Sequence, residues 1–131
     1  MILGDIVRRN ARRYPQKTGV VFGATKYRFA ELNRRVNSVA NALLDLGLKR
    51  EDKAAILLDN CHQYVELYFA LPKAGGVAVP LNAALRGPEM AYIINNAEAK
   101  LLVFGEKFAP VVSSLLPQLS SVKALVVVGT A

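Results

Sequence analysis

The chain has 131 residues, room for one domain and no more. Its apolar fraction of 53% exceeds the usual ~45–50% for a globular domain and implies apolar surface meant for more of the same polypeptide or for a partner, including a second copy of itself. Net charge is +7, one cysteine excludes a disulfide framework or a multi-cysteine metal site, and no run approaches the ~20 apolar residues of a membrane helix.

A basic balance suits nucleic acid or an anionic membrane. The pairs Arg8-Arg9, Arg12-Arg13, Arg34-Arg35 and Lys49-Arg50 carry much of it. They fall on polar faces of predicted helices, and no aromatic residues interleave with them as a base-stacking platform requires. A solvated surface is therefore the preferred reading, and no nucleic-acid partner is expected. The start, MILGDIVRRN, lacks the apolar core of a secretory signal, so a reduced, cytoplasmic setting is expected.

In chain order, Asp5 offers a cap for a first helix through about Tyr14, with Ile6, Val7 and Ala11 inward and Pro15 as its stop. Thr18–Phe22 and Lys26–Phe29 flank Gly23-Ala24-Thr25 and read as a hairpin. Phe29, Leu32, Val36, Val39, Ala40, Leu43 and Leu44 follow helical spacing; Gly47 ends that helix, and Leu48 folds back on its last turn. The central stretch, 53–82, reads as strand, helix, strand. Ala54–Leu58 is a short apolar strand, and Asn60 with Gln63 suggests a capped helix start. Val65, Leu67, Tyr68, Phe69, Leu71 and Ala74 give that helix a broad apolar face. Gly75-Gly76 stops it, and Val77–Val79 is a strand ended by Pro80. A connection of this length suits a right-handed crossover between parallel strands.

After Asn82, Gly87-Pro88 opens a helix with Met90, Ile93, Ile94 and Ala97 on its inner face. Lys100–Phe104 is a strand, Glu106 to about Leu116 a helix with Pro110 in its first turn, and Val122–Val128 a last strand before Gly129-Thr130-Ala131. Strand starts near 53, 77, 101 and 123 repeat at the length of a βα unit. The fold class is α/β: a largely parallel sheet with flanking helices, plus a short N-terminal helix and hairpin.

Candidate chemistry is sparse. His62 is the one histidine, and Cys61 precedes it. Neighbours at a helix start point in different directions, and nothing supplies an orienting third group, so both read as ordinary residues rather than a nucleophile and base. One histidine and one cysteine make no zinc site. There is neither G-x-x-x-x-G-K-[ST] nor G-x-G-x-x-G, and Gly75-Gly76 follows a helix where a phosphate cradle would follow a strand. Asp45, Glu51, Asp52, Glu89 and Glu98 fall in loops and helix ends, with no pair placed for acid–base work. No catalytic or metal-binding residue is assigned.

Five segments carry a resemblance: RNARRYPQKTGVVF at 9–22, YRFAEL at 27–32, ALLDLGLKREDKAAILLDN at 42–60, LPKAGGVAVPLN at 71–82 and ALRGPEMAYIINNAEAKLLV at 84–103. Each is mostly packing and turn chemistry. Together, in order and at matching spacings, they resemble the N-terminal subdomain of the adenylate-forming (AMP-binding) enzymes, nearest to fatty-acyl-CoA synthetases. Arg28 replaces that family's usual cap Thr, Glu51 a common turn Gly, and Ala84 a frequent Arg.

The resemblance implies an ATP-dependent fatty-acid–CoA ligase that forms an acyl-adenylate and then a thioester, using ATP, Mg2+ and coenzyme A. The family's phosphate-binding loop, acyl pocket and catalytic Lys lie beyond the stretch matched here. Residues 1–131 would thus be a partial domain, cut before that loop, without cofactors of its own: an inactive scaffold whose partner is the remainder of its own polypeptide. Arg86 is the one candidate for a coenzyme A phosphate contact, and plain surface is its preferred reading. The competing readings are a stand-alone, non-catalytic interaction module and a basic nucleic-acid binder.

Overall fold

A computed structural model describes residues 2–129. The elements are α1 (Gly4–Arg13), β1 (Thr18–Phe22), β2 (Thr25–Arg28), α2 (Phe29–Asp45), β3 (Lys53–Leu57), α3 (His62–Lys73), β4 (Val77–Pro80), α4 (Gly87–Ala97), β5 (Leu101–Gly105), α5 (Ala109–Leu115) and β6 (Ala124–Val128). They fall into two compact units. One holds the chain up to Arg50 together with Asn60–Gly76; the other holds Glu51–Asp59 and the chain from Val77 onward.

The first unit is three helices and a hairpin. Helices α1, α2 and α3 pack on one another, and β1 pairs with β2 antiparallel across the turn at Gly23. Leu32, Val36, Ala40 and Leu43 of α2 are buried at helical spacing, as expected; Leu44, at the end of the same run, is exposed. α1 lies close against α3. A Cβ on Gly4 would stand 2.9 Å from both the Phe69 carbonyl oxygen and the Lys73 Cβ, so the helices meet over a bare backbone. α2 and α3 end alike. Gly47 (φ +95°) and Gly75 (φ +88°) take the left-handed conformation that a side chain resists. The next N–H then reaches back to the last turn: Leu48 N–H to Leu43 O at 3.1 Å, Gly76 N–H to Leu71 O at 2.8 Å. Leu48 is buried by this return.

Helix starts differ from expectation. Asp5 is not the cap of α1; Leu3 holds that position, and the Asp5 carboxylate accepts the Ile2 N–H at 3.1 Å from inside the first turn. Asn60 is not the cap of α3 either. Cys61 is the last extended residue, its side chain makes no capping bond, and its carbonyl accepts the Tyr64 N–H at 3.1 Å. Burial of Glu66, Leu67, Ala70 and Leu71, rather than a cap, sets this helix. Arg28, where the resembling family has Thr, caps α2 with its backbone alone: its N–H donates to Glu31 Oε2 at 2.9 Å, and its side chain has no oxygen to return the bond.

The second unit is the sheet. Its order is β4-β3-β5-β6, with all three pairings parallel. β3 and β5 are central. Ala55, Leu57, Leu102 and Phe104 join Met90, Ala91 and Ile94 of α4 and Val112 and Leu115 of α5 in one core, while Ala54, Ile56, Leu101 and Val103 on the opposite face are buried too. Strand bounds shift by one or two residues from the expected ones. The helix expected from Glu106 to Leu116 is instead a 3-10 turn (Glu106–Phe108), α5, and a second 3-10 turn (Leu116–Gln118). Pro110 stands in the first turn of α5, as expected, and Pro117 in the second 3-10 turn, since neither ring leaves an N–H to donate inside a helix. Thr130 and Ala131, expected after the last strand, lie outside the described residues.

Among the described residues, Glu51 and Glu98 are the non-glycine residues with positive φ, at 69° and 55°. Glu51 stands where the resembling family commonly has Gly, and its backbone shows why: the turn into β3 requires the left-handed region. Glu98 ends α4 in the same conformation, and Ala99 N–H returns to Ile94 O at 3.1 Å.

Candidate functional site

In the second unit, the chain runs from β3 outward to β4, then returns past β3 to β5 and on to β6. The direction of winding reverses between β3 and β5. Open α/β sheets bind ligands outside the carboxyl ends of their strands at such a reversal. Here those ends lead into Leu58-Asp59 and Glu106–Phe108. The Lys107 ammonium ion-pairs with the Asp59 carboxylate across the gap, and it lies 5.1 Å from the centre of the Phe108 ring. Both charged side chains are more than half exposed, at 64% and 57%, so the pair is a surface latch of small energetic weight. The described residues contain no cluster of three or more His, Cys, Asp or Glu able to hold a metal ion. The charged groups paired at these strand ends are Asp59 and Lys107.

Arg86 is the N-cap of α4. Its N–H donates to Glu89 Oε2 at 2.9 Å, and the preceding loop is turned by Asn82, whose Oδ1 accepts the Ala84 N–H at 2.9 Å. The Glu89 carboxylate already sits at the positive end of the helix dipole. The Arg86 side chain is exposed and forms no hydrogen bond or ion pair with the other described residues.

Cys61 and His62 do not face each other as nucleophile and base. Cys61 is a free thiol at the N-cap of α3. His62 points into the first unit, its ring edge-on to Tyr27 at 5.4 Å and tilted against Phe22 at 6.4 Å. Its Nδ1 is buried, 3.6 Å from Glu66 Oε2, one helical turn on.

Glu66 is what sequence reasoning missed. It is 2% exposed, a charged residue buried in the core of the first unit, and it ion-pairs with Arg35 of α2. Arg35 in turn stacks over Tyr27, 4.5 Å from the ring centre. The Glu66 hydrogen bond holds the Arg35 guanidinium above its usual pKa, against the opposing effect of burial. The Arg34-Arg35 pair is therefore split: Arg34 is exposed, and Arg35 serves the interior. The available signal was spacing, since Glu66 lies four residues after His62 and inside an apolar run. The cluster ties α2 to α3 as an internal brace.

An open groove of about 410 Å³ runs along α3, lined by Asn60, Cys61, Tyr64, Val65, Tyr68 and Phe69. Tyr68, expected inward, is exposed. Burial raises the Tyr64 hydroxyl above its ordinary pKa.

The chain is similar to known proteins over nearly its whole length. The profile of the family described as "AMP-binding enzyme" matches residues 7–130. A crotonobetaine/carnitine–CoA ligase from Salmonella paratyphi B is 36% identical over 102 residues, which cover 74% of this chain and 20% of the relative. A fatty acyl CoA synthetase from Mycobacterium tuberculosis superposes with a TM-score of 0.93 at 26% identity, covering 97% of this chain and 26% of its own. The anthranilate CoA ligase AuaEII, solved with anthranoyl-AMP, gives 0.93 at 27% identity over 98% of this chain and 25% of its own. The chain thus spans about a fifth to a quarter of the length of these relatives. With the family profile matching almost end to end and the same α/β fold in solved relatives, this chain belongs to the AMP-binding enzyme family.

Proposed function

We propose that residues 1–131 serve as the N-terminal subdomain of an ATP-dependent acyl-CoA synthetase, with a fatty acid as the acyl substrate and ATP, Mg2+ and coenzyme A as its cosubstrates and metal. The carrying observation is coverage: nearly all of this chain aligns with a quarter of a fatty acyl CoA synthetase. The subdomain supplies a packed sheet and helices rather than reacting groups. It has no Gly-rich phosphate loop after a strand, so it cannot position the phosphates of ATP, and adenylation depends on such positioning.

The fatty-acid assignment rests on likeness alone, because relatives of the same fold are named for carnitine, fatty acyl and anthranilate ligases. The scaffold is common to all three, so it does not select the acyl group. Arg86, exposed and unpaired among the described residues, is available to a coenzyme A phosphate; we favour a plain surface role, because Glu89 beside it repels an anion. A cytoplasmic setting fits a chain in which no described helix is long and apolar enough to cross a membrane.

The test is intact mass of the native gene product, followed by ATP–pyrophosphate exchange on it with a panel of carboxylic acids. The expected product is several times heavier than 14.2 kDa and exchanges with fatty acids, while the purified 131-residue chain shows none. Exchange by the chain alone overturns the scaffold reading. A native product of 14.2 kDa favours the alternative, an interaction module built on this fold.

A further inference from the structure

The two edges of the sheet are unlike. β4 is short and ends in the exposed Pro80, which has no N–H to offer, and such an edge resists pairing with another strand. β6, at the other edge, reads ALVVV: rich in valine, with neither proline nor charge. β5 takes its inner side, in parallel register from Leu101↔Ala124 to Gly105↔Val128. The Lys123 N–H donates to the Lys100 carbonyl at 2.8 Å. A parallel ladder engages alternate residues of each strand, so the backbone groups of Leu125 and Val127 follow Lys123 toward β5. Those of Val126 and Val128 turn the other way, to the open edge. The Leu125 and Val127 side chains are exposed, on the face that carries Leu102 and Phe104 of the core. Lys123 and Gly129 share that face by the two-residue period of a strand. At Gly129 the Glu106 carboxylate stands 4.0 Å from where a Cβ would be. Lys123 and Glu106 are exposed, and neither has an ion pair with the other described residues.

We infer that β6 is an interface to a second copy of this chain, the two strands running antiparallel about a two-fold axis at Val126. Identical edges bond only where outward-turned backbone groups meet. Centring on Val126 does this: Val126 faces Val126 of the second copy, and Val128 faces its Ala124. Leu125 of each copy then lies opposite Val127 of the other, and such cross-strand apolar pairs stabilise a sheet. The same register sets Lys123 opposite Gly129 of the second copy, beside its Glu106 carboxylate, and the two-fold axis makes this opposite-charge meeting twice. A slip of two residues toward the strand start puts Lys123 against Val127 instead and loses both pairs. The charges therefore select one register, and the edge that ends in Pro80 closes the assembly at two copies. Nothing in this pairing depends on the catalytic assignment.

The test is sedimentation equilibrium of the 131-residue chain over a dilution series. A dimer of twice 14.2 kDa is expected, dissociating on dilution because one strand pair is a small interface. Val126→Pro removes an N–H that β5 does not use and is expected to leave monomer at every concentration. Lys123→Glu and Glu106→Lys each bring like charges together and should weaken the dimer about ten-fold. Mixed with each other, these two variants should regain the parental affinity, since every pair across the axis then joins opposite charges. Tyr92→Ser, which removes a 70% exposed aromatic from α4, should change nothing. Helix content and urea midpoint confirm that each variant is folded. Monomer at every concentration, open-ended oligomers, a dimer that survives Val126→Pro, equal loss on Tyr92→Ser, or no recovery on mixing would each overturn the proposal.

Discussion

The two units solve the same problem with different chemistry. In the unit built on β3–β6, the core is apolar throughout: Ala55, Leu57, Leu102 and Phe104 meet Met90, Ile94, Val112 and Leu115, with no charged group among them. In the unit built on α1–α3, the Glu66 side chain is buried at the helix interface, ion-paired with Arg35 and beside His62. Apolar packing is tolerant of partners and insensitive to salt. A buried carboxylate accepts few arrangements, because each unmade bond costs the full desolvation of a charge. The ionic brace therefore specifies how α2 meets α3 more strictly than it stabilises them.

That contrast can be broken at its strongest point first. Leu102→Ala, in a fully buried position of β5, should cost about 3–4 kcal/mol by urea denaturation and be indifferent to salt. A loss under about 1 kcal/mol would mean that the sheet core refills easily, against the close packing of protein interiors.

The ionic brace should respond asymmetrically. Arg35→Ala strands the Glu66 carboxylate and should cost about 2–3 kcal/mol, below the full value for a buried pair because the Arg35 side chain is 42% exposed. Glu66→Gln lets Arg35 turn to solvent and should cost only about 1 kcal/mol. The double change Arg35→Met/Glu66→Leu should return to within about 1 kcal/mol of the parent. Equal costs for the two single changes, or a double variant worse than either, would show that the pair acts by simple attraction and would remove the distinction drawn between the units.

The smallest effect sharpens the comparison from the other side. Glu51→Gly, at the turn entering β3, should raise stability by about 1 kcal/mol, since a side chain at φ 69° is strained and the glutamate makes no ion pair with the described residues. The second unit would then be limited by one backbone conformation rather than by its packing. A loss of stability on this change would assign Glu51 a contact that its backbone does not reveal.

Much of this was legible before any coordinates. Apolar runs at 54–58 and 101–104, punctuated by Gly and Pro at βα spacing, mark the two central strands, because a strand buried on both faces has to be apolar at every position. The runs at 77–79 and 124–128 become edge strands, whose Val77, Leu125 and Val127 are exposed. Gly47 and Gly75 mark their helix ends for a local reason, the cost of a Cβ at positive φ. The start of α3 was not legible. Asn60 is the better cap by local chemistry, yet Cys61 takes the place, because burial of Leu67, Ala70 and Leu71 sets the helix register.

The site residues divide in the same way. That the sequence carries neither G-x-x-x-x-G-K-[ST] nor G-x-G-x-x-G follows from residue types and their order alone. The fate of each charge does not. Arg34 and Arg35 are adjacent and identical, but only tertiary packing brings Glu66 within reach of one of them. Composition counts charges, and a desolvated partner from a distant segment decides which of them belong to the interior and which are left, as on α1, facing outward.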